Sequence, residues 1–216
     1  MPETLPTPRA CVFDLDGTLV DSLRDIADSL NACLDLLGLP THPVDSYRYM
    51  VGEGIPRLCE RAIGGSHPHL VARLAELARP VYRTRATQFT RPYAGIPELV
   101  ARCHARDIRL AVLSNKPHDL TLRVVEAFWP DGVFDVIYGY LEEQFRKPSP
   151  VYLQRICEEL QVPPAQTWLI GDTPTDVETA RAAGAIPIGV TWGFRTRADL
   201  AAAGAIRIVD DPAELP

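Results

Sequence analysis

A chain of 216 residues, 46% hydrophobic and 23% charged, has the composition of a folded globular protein, and its length suits one core with a modest insertion. The formal net charge of −6 argues against nucleic-acid partners, which want a basic face, and no run of about 18 apolar residues offers a membrane-spanning helix. The cysteines Cys11, Cys33, Cys59, Cys103 and Cys157 are far apart and form no CxxC pair, which predicts reduced thiols in a cytoplasmic protein, with no disulfide framework or zinc knuckle.

The stretch from Met1 to Arg9 has no apolar run after a basic start, so no signal peptide is expected. The first strand signal is Ala10-Cys11-Val12-Phe13, and it runs into Asp14-Leu15-Asp16-Gly17-Thr18. A carboxylate at the end of a buried strand is aimed at whatever lies above the sheet. Gly17 permits the tight turn that returns Asp16 towards the same point. Two carboxylates one residue apart can divide the labour, one as nucleophile and one as general acid and then base. A calcium loop of the EF-hand type also begins Asp-x-Asp, but it would want its glycine two positions later.

Residues 22–91 break the strand rhythm. Leu23, Ile26, Ala27, Leu30, Leu34 and Leu37 follow helical spacing, Gly38 with Pro40 stops that helix, and Gly64-Gly65-Ser66 with Pro68 marks a second break. This segment reads as a helical insertion, with residues 1–21 and 92–216 forming the core. Short apolar runs then recur at 109–113, 134–138, 167–170, 186–190 and 206–209. Helical patterns at 96–105, 120–128, 151–160 and 177–183 separate them. Strand–helix alternation with nearly continuous apolar strands predicts an α/β fold, a doubly wound parallel sheet of Rossmann-like form covered on both faces. In such sheets ligands bind beyond the carboxyl ends of the strands.

Three of those ends carry further chemistry. Ser114-Asn115 follows the second core strand and offers a hydroxyl and adjacent N–H groups for phosphoryl oxygens, although alone the pair also reads as a turn or helix cap. Lys147 stands before Pro148, which keeps it extended and outside the next helix. It can turn inward to neutralise an anion, or lie solvated at the surface. Gly171-Asp172-Thr173-Pro174-Thr175-Asp176 puts a carboxylate at a third strand end, with Asp176 four residues on in the first turn of a helix. An acidic protein acting on an anionic ligand must neutralise charge locally, and a divalent cation held by carboxylate oxygens, with one or two lysines, is the usual means.

In order and spacing these four segments resemble the haloacid-dehalogenase superfamily, over nearly the whole chain, and the insertion is similar to that superfamily's small helical cap. The resemblance implies a magnesium-dependent phosphatase in which Asp14 is the nucleophile and Asp16 the general acid and base. It puts Thr18, Ser114, Asn115 and Lys147 on the phosphate, and the carboxylates of Asp14 and Asp172 with the backbone carbonyl of Asp16 on Mg2+, Asp176 lying just behind them. Leu19-Val20-Asp21-Ser22, Val51-Gly52-Glu53-Gly54, Ser114-Asn115-Lys116-Pro117 and Thr191-Trp192-Gly193-Phe194 resemble phosphoglycolate phosphatases more closely. That likeness implies 2-phosphoglycolate or a similar small phosphorylated metabolite as substrate. Gly52, Gly54 and Arg57 are the insertion's candidates for contacting it, the glycines reading equally as turn residues. A phosphomutase or pyrophosphatase on the same core is the rival enzyme reading, and a catalytically idle interaction module the rival of another class. Intact Asp14, Asp16, Lys147 and Asp172 count against idleness. A metal-free dehalogenase would lack the second acid of the first motif. The sequence holds no phosphate-binding P-loop and no complete dinucleotide-binding glycine turn.

Overall fold

The computed structural model describes residues 5–216, so the start of the N-terminal stretch, Met1 to Thr4, lies outside the described residues. Six parallel strands form the main sheet, in the order β5-β4-β1-β6-β7-β8. The strands are β1 Ala10–Phe13, β4 Arg109–Pro117, β5 Val136–Tyr140, β6 Thr167–Gly171, β7 Ile186–Val190 and β8 Arg207–Val209. β1 sits in the middle and is fully buried, as a strand covered on both faces must be. Its side chains alternate: Cys11 and Phe13 join one apolar cluster, while Ala10 and Val12 join another with Tyr152, Leu153 and Ile156. The helices α4 Ile96–Ala105, α5 His118–Phe128, α6 Val151–Leu160 and α7 Pro174–Ala183 cover the sheet.

Register places the site. Phe13 lies opposite Val112 on β4 and opposite Ile170 on β6, so three strands reach the same height together. Asp14 therefore emerges level with the ends that carry Ser114 and Asp172.

The insertion leaves and re-enters the core through a short antiparallel ribbon, β2 Val20–Asp21 against β3 Arg91–Pro92. Between them run α1 Leu23–Leu36, a 3₁₀ segment Val44–Tyr49, α2 Gly54–Ile63 and α3 Val71–Arg85. Of the α1 positions read as apolar, Leu23, Ile26, Ala27, Leu30 and Leu34 are buried and Leu37 is half-buried. Buried Asp25 fastens the two ends of the insertion: its Oδ2 accepts from Thr90 N at 2.8 Å and from Thr90 Oγ1 at 2.7 Å.

Several bounds differ from those the sequence suggests. The run expected at 134–138 pairs as Val136–Tyr140, because Asp135 spends its N–H on Leu110 O and its carboxylate on Leu110 N just before the ladder opens. β4 continues to Pro117 through a register irregularity against β5, so Ser114 and Asn115 stand within the strand and do not merely follow it. α7 starts at Pro174, three residues before the expected 177, since Thr173 caps it with a reciprocal bond to Asp176. The short helix α8 Arg197–Ala203 escaped the apolar pattern because only Leu200 is buried, although Thr196 and Asp199 form a capping box at its start.

Candidate active site

Asp14, Asp172 and Asp176 each present a carboxylate oxygen within 4.8 Å of the others, at the ends of β1 and β6 and the start of α7. Lys147 stands among them, its Nζ 2.9 Å from Asp14 Oδ1 and 2.5 Å from Asp176 Oδ1, and it also donates to Leu113 O at 3.0 Å. All four are buried. Burial pushes the Asp14 carboxyl up to about 7, with Lys147 pulling against it and Asp176 adding to it. Burial also raises Asp172 well above the usual carboxylate range, and the neighbouring Asp14 and Asp176 raise it further. Burial alone would depress Lys147, but Asp14 and Asp176 hold it above the usual lysine range.

Once ionised, three carboxylates against one ammonium carry two excess negative charges, which a divalent cation would balance. The donors are all oxygens, as magnesium prefers. Asp172 is held ready: its Oδ2 accepts from Phe194 N at 2.7 Å and its Oδ1 from Thr18 Oγ1 at 3.2 Å. Gly17 has φ +90°, and a Cβ there would lie 2.4 Å from Asp172 Oδ2, so only glycine lets the first turn close over this carboxylate. Asp176 sits behind, its Oδ2 accepting from Thr173 N at 3.1 Å and Thr173 Oγ1 at 2.7 Å. The residues fit a magnesium ion.

Lys147→Met removes the only cation of this buried network. It should lower the unfolding free energy by about 3 to 5 kcal/mol, the usual cost of stripping one partner from a buried ion pair. Denaturant titration of the metal-free protein measures this, and a loss under about 1 kcal/mol would mean the carboxylates are relieved another way.

Asp16 belongs to a second network. Its Oδ1 accepts from Lys116 Nζ at 2.5 Å and from Ser22 Oγ at 2.6 Å. Lys116 Nζ also donates to Tyr82 OH at 2.7 Å, which ties α3 of the insertion to β4 of the core. Burial would lower Lys116, but Asp16 and Tyr82 hold it above the usual range, and burial lifts the Tyr82 phenol to about 12 against the pull of Lys116. Both motif carboxylates thus face a buried lysine, of which only Lys147 stood out in the sequence. The available signal was the two-residue spacing of Ser114 and Lys116, which puts both on one side of an extended strand.

Asp14, Asp16, Ser114, Asn115 and Lys116 open into a chamber of about 70 Å³ between core and insertion. Its other walls are largely apolar, with Ile26, Leu30, Val51, Ile55, Leu58 and Leu120 prominent. Asn115 bridges the two halves: its Nδ2 donates to Gly52 O at 3.1 Å and Lys147 O at 3.0 Å, while its Oδ1 accepts from Lys147 N at 2.8 Å. Thr18, expected on the phosphate, spends its hydroxyl on Asp172.

Gly52 and Gly54, the sequence's candidates for contacting substrate, line the chamber, and both are turn residues with positive φ. Gly54 has φ +84°, a left-handed backbone that favours glycine, while the Arg146 Nη1 that a Cβ there would meet is the movable end of a side chain. Arg57 is not brought to the chamber. Its side chain is 57% exposed and pairs with Glu60 one turn along α2, a solvated helix residue.

Three arginines outside the sequence's candidate set clamp the 48–54 segment. Arg146 Nη1 donates to Glu53 O at 2.6 Å, Arg195 Nη2 to Val51 O at 2.9 Å, and Arg48 Nη1 reaches across to Gly193 O at 2.9 Å. These are backbone targets, which carry no residue-type signal in a sequence.

Residues 8–184 match the family description of a haloacid dehalogenase-like hydrolase. The phosphoglycolate phosphatase of Rhodospirillum rubrum is 34% identical over 220 residues, covering 96% of this chain and 89% of that protein. The phosphoglycolate phosphatase of Aquifex aeolicus is 32% identical, covering 86% of each chain. A crystal structure of a candidate phosphoglycolate phosphatase from Lactobacillus delbrueckii subsp. bulgaricus superposes with a TM-score of 0.89 at 30% identity, covering 97% of both chains. With a family match over most of its length and a buried acidic cluster at two neighbouring strand ends and the helix start beside them, this chain belongs to the haloacid dehalogenase-like hydrolases.

Proposed function

We propose that the protein is a magnesium-dependent phosphomonoesterase that turns over small phosphorylated metabolites through an aspartyl-phosphate, 2-phosphoglycolate being the first candidate. The observation that carries this reading is the pairing of two carboxylates at one chamber mouth. Asp14 is held 2.9 Å from Lys147, and Asp16 2.5 Å from Lys116. In the first half-reaction a carboxylate oxygen of Asp14 forms a bond to phosphorus, the bond to the leaving oxygen breaks, and Asp16 gives that oxygen its proton. In the second, Asp16 takes a proton from water. The resulting hydroxide attacks phosphorus, releasing inorganic phosphate and restoring the Asp14 carboxylate. Lys147 neutralises phosphoryl charge, and Ser114, which lines the chamber from β4, adds a hydroxyl donor. Held by Asp14, Asp172 and the carbonyl of Asp16, magnesium would supply the remaining positive charge that an anionic substrate needs there. Residues 22–91 act as the lid, turning about the β2–β3 ribbon to exclude bulk water.

A chamber of about 70 Å³ has room for a leaving group of a few heavy atoms; one water occupies about 10 to 15 Å³ of such space. The related phosphoglycolate phosphatases support the same substrate class. Phosphate release should be measured with magnesium on 2-phosphoglycolate, sugar phosphates, pyrophosphate and nucleoside monophosphates. 2-Phosphoglycolate is expected to lead in kcat/KM. A sugar phosphate or nucleotide ahead by tenfold, about 1.4 kcal/mol of transition-state preference, would overturn the small-acid assignment and keep the phosphatase. An isomerised sugar phosphate would indicate a mutase, and no product from any compound an idle module.

A further inference from the structure

We propose that Lys116, steadied by Tyr82, is the specificity-determining residue that recognises the leaving group, selecting one with a carboxylate one or two carbons from the ester oxygen. The inference rests on the phosphomonoesterase reading above and names the contact that would give it a substrate class.

The argument is one of elimination and valence. An anionic leaving group entering an apolar chamber needs a cation, because a charge taken out of water without a partner is strongly disfavoured. Among the described residues lining the chamber, Lys116 is the only basic one. Lys147 is committed to Asp14 and Asp176 on the phosphate side. Arg146, Arg195 and Arg48 spend guanidinium N–H groups on the carbonyls of Glu53, Val51 and Gly193. Arg57 faces solvent beside Glu60.

Lys116 also has a donor to spare. An ammonium carries three N–H groups. Those of Lys116 reach Asp16 Oδ1 and Tyr82 OH, the two partners found, and the third is left for a ligand.

Position then sets the reach. Asp16 must touch the leaving oxygen to protonate it, and Lys116 is one hydrogen bond from Asp16. A group bound to Lys116 therefore lies within three hydrogen-bond lengths, roughly 8 Å, of that oxygen. A two- or three-carbon acid stays inside that limit. The apolar walls formed by Leu30, Ile55 and Leu58 keep the bond in a medium of low dielectric, where a charge-assisted contact discriminates most. A neutral leaving group forfeits the contact, and a cationic one is repelled.

The test compares kcat/KM for 2-phosphoglycolate, ethyl phosphate and 2-aminoethyl phosphate, which share the ester and differ in terminal charge. Wild-type protein should rank them in that order, the first ahead of the second by about 30-fold or more. Lys116→Met should bring all three within about threefold, and Tyr82→Phe should give an intermediate ratio. Circular dichroism checks that each variant is folded. If Lys116→Met does not fold, the Tyr82→Phe ratio and the wild-type order decide the matter. An equal loss on all three esters would make Lys116 a support for Asp16 alone and overturn the proposal, as would a wild-type enzyme indifferent to terminal charge. Failure of the underlying reading looks different: wild-type protein would release phosphate from none of the three.

Discussion

Asp14→Asn should lower kcat by at least about 10^4-fold and leave the protein folded. The amide keeps the shape of the carboxylate and loses its nucleophilic charge. The fold should tolerate the change because Asp14 stands in a cluster with more negative than positive charge. Lys147 retains Asp176 at 2.5 Å, so no cation is orphaned. Removing one of three crowded carboxylates also relieves repulsion, and the metal-free variant should melt at or slightly above the wild-type temperature. Active sites commonly hold such stored cost, which substitution releases together with function. Steady-state phosphate release and a thermal melt by circular dichroism check both halves of the expectation. Substantial turnover by the well-folded variant would remove Asp14 from the role of nucleophile.

Chelation is expected to have an effect of similar size. Excess EDTA should stop turnover and added magnesium restore it, with calcium inhibitory because its geometry is looser. The dependence on pH has a definite sign. Without metal the Asp14 carboxyl is raised from 3.8 to about 7, so below pH 7 a cation must displace a proton to bind it. The half-saturating magnesium concentration should therefore rise as pH falls, by up to about tenfold per unit for each proton displaced.

Stability follows the same linkage. A carboxyl whose pKa is raised on folding binds more protons in the folded state, so the metal-free protein loses stability as pH rises from about 4 through about 7. Magnesium should restore that loss above pH 7, making the metal-induced rise in melting temperature larger at pH 8 than at pH 6. Isothermal titration across this range, with melts in parallel, measures both. Full activity in excess chelator, or magnesium affinity that does not change with pH, would separate the cluster from metal binding.

Where most of the candidate site residues stand was legible in the sequence, because its signals are local and ordered along the chain. A four-residue apolar strand running into Asp-x-Asp-Gly, two further apolar strands running into Ser114-Asn115 and Gly171-Asp172, and the helical spacing of residues 23 to 34 follow from periods of 2.0 and 3.6 residues, although β4 continues past Asn115 to Pro117. The parallel sheet follows from those alternations, and a parallel sheet brings strand ends together whatever lies between them in sequence. Where Lys147 points was legible only in this company, since a lone lysine before a proline has no preferred partner.

Tertiary structure alone decided what closes over the site. Lys116 meets Asp16 across 100 positions and Tyr82 across 34, and both encounters depend on how the insertion is seated on the core. That seating is held by Arg146, Arg195, Arg48 and Asn115 donating to backbone carbonyls. Every residue has such a carbonyl, so composition and period cannot mark the target. Arg57 shows the same limit from the other side. A helical position fixes which neighbours share a face, and it paired Arg57 with Glu60. Whether that face turns inward or to solvent is set by the packing of α2 against α3 and the core.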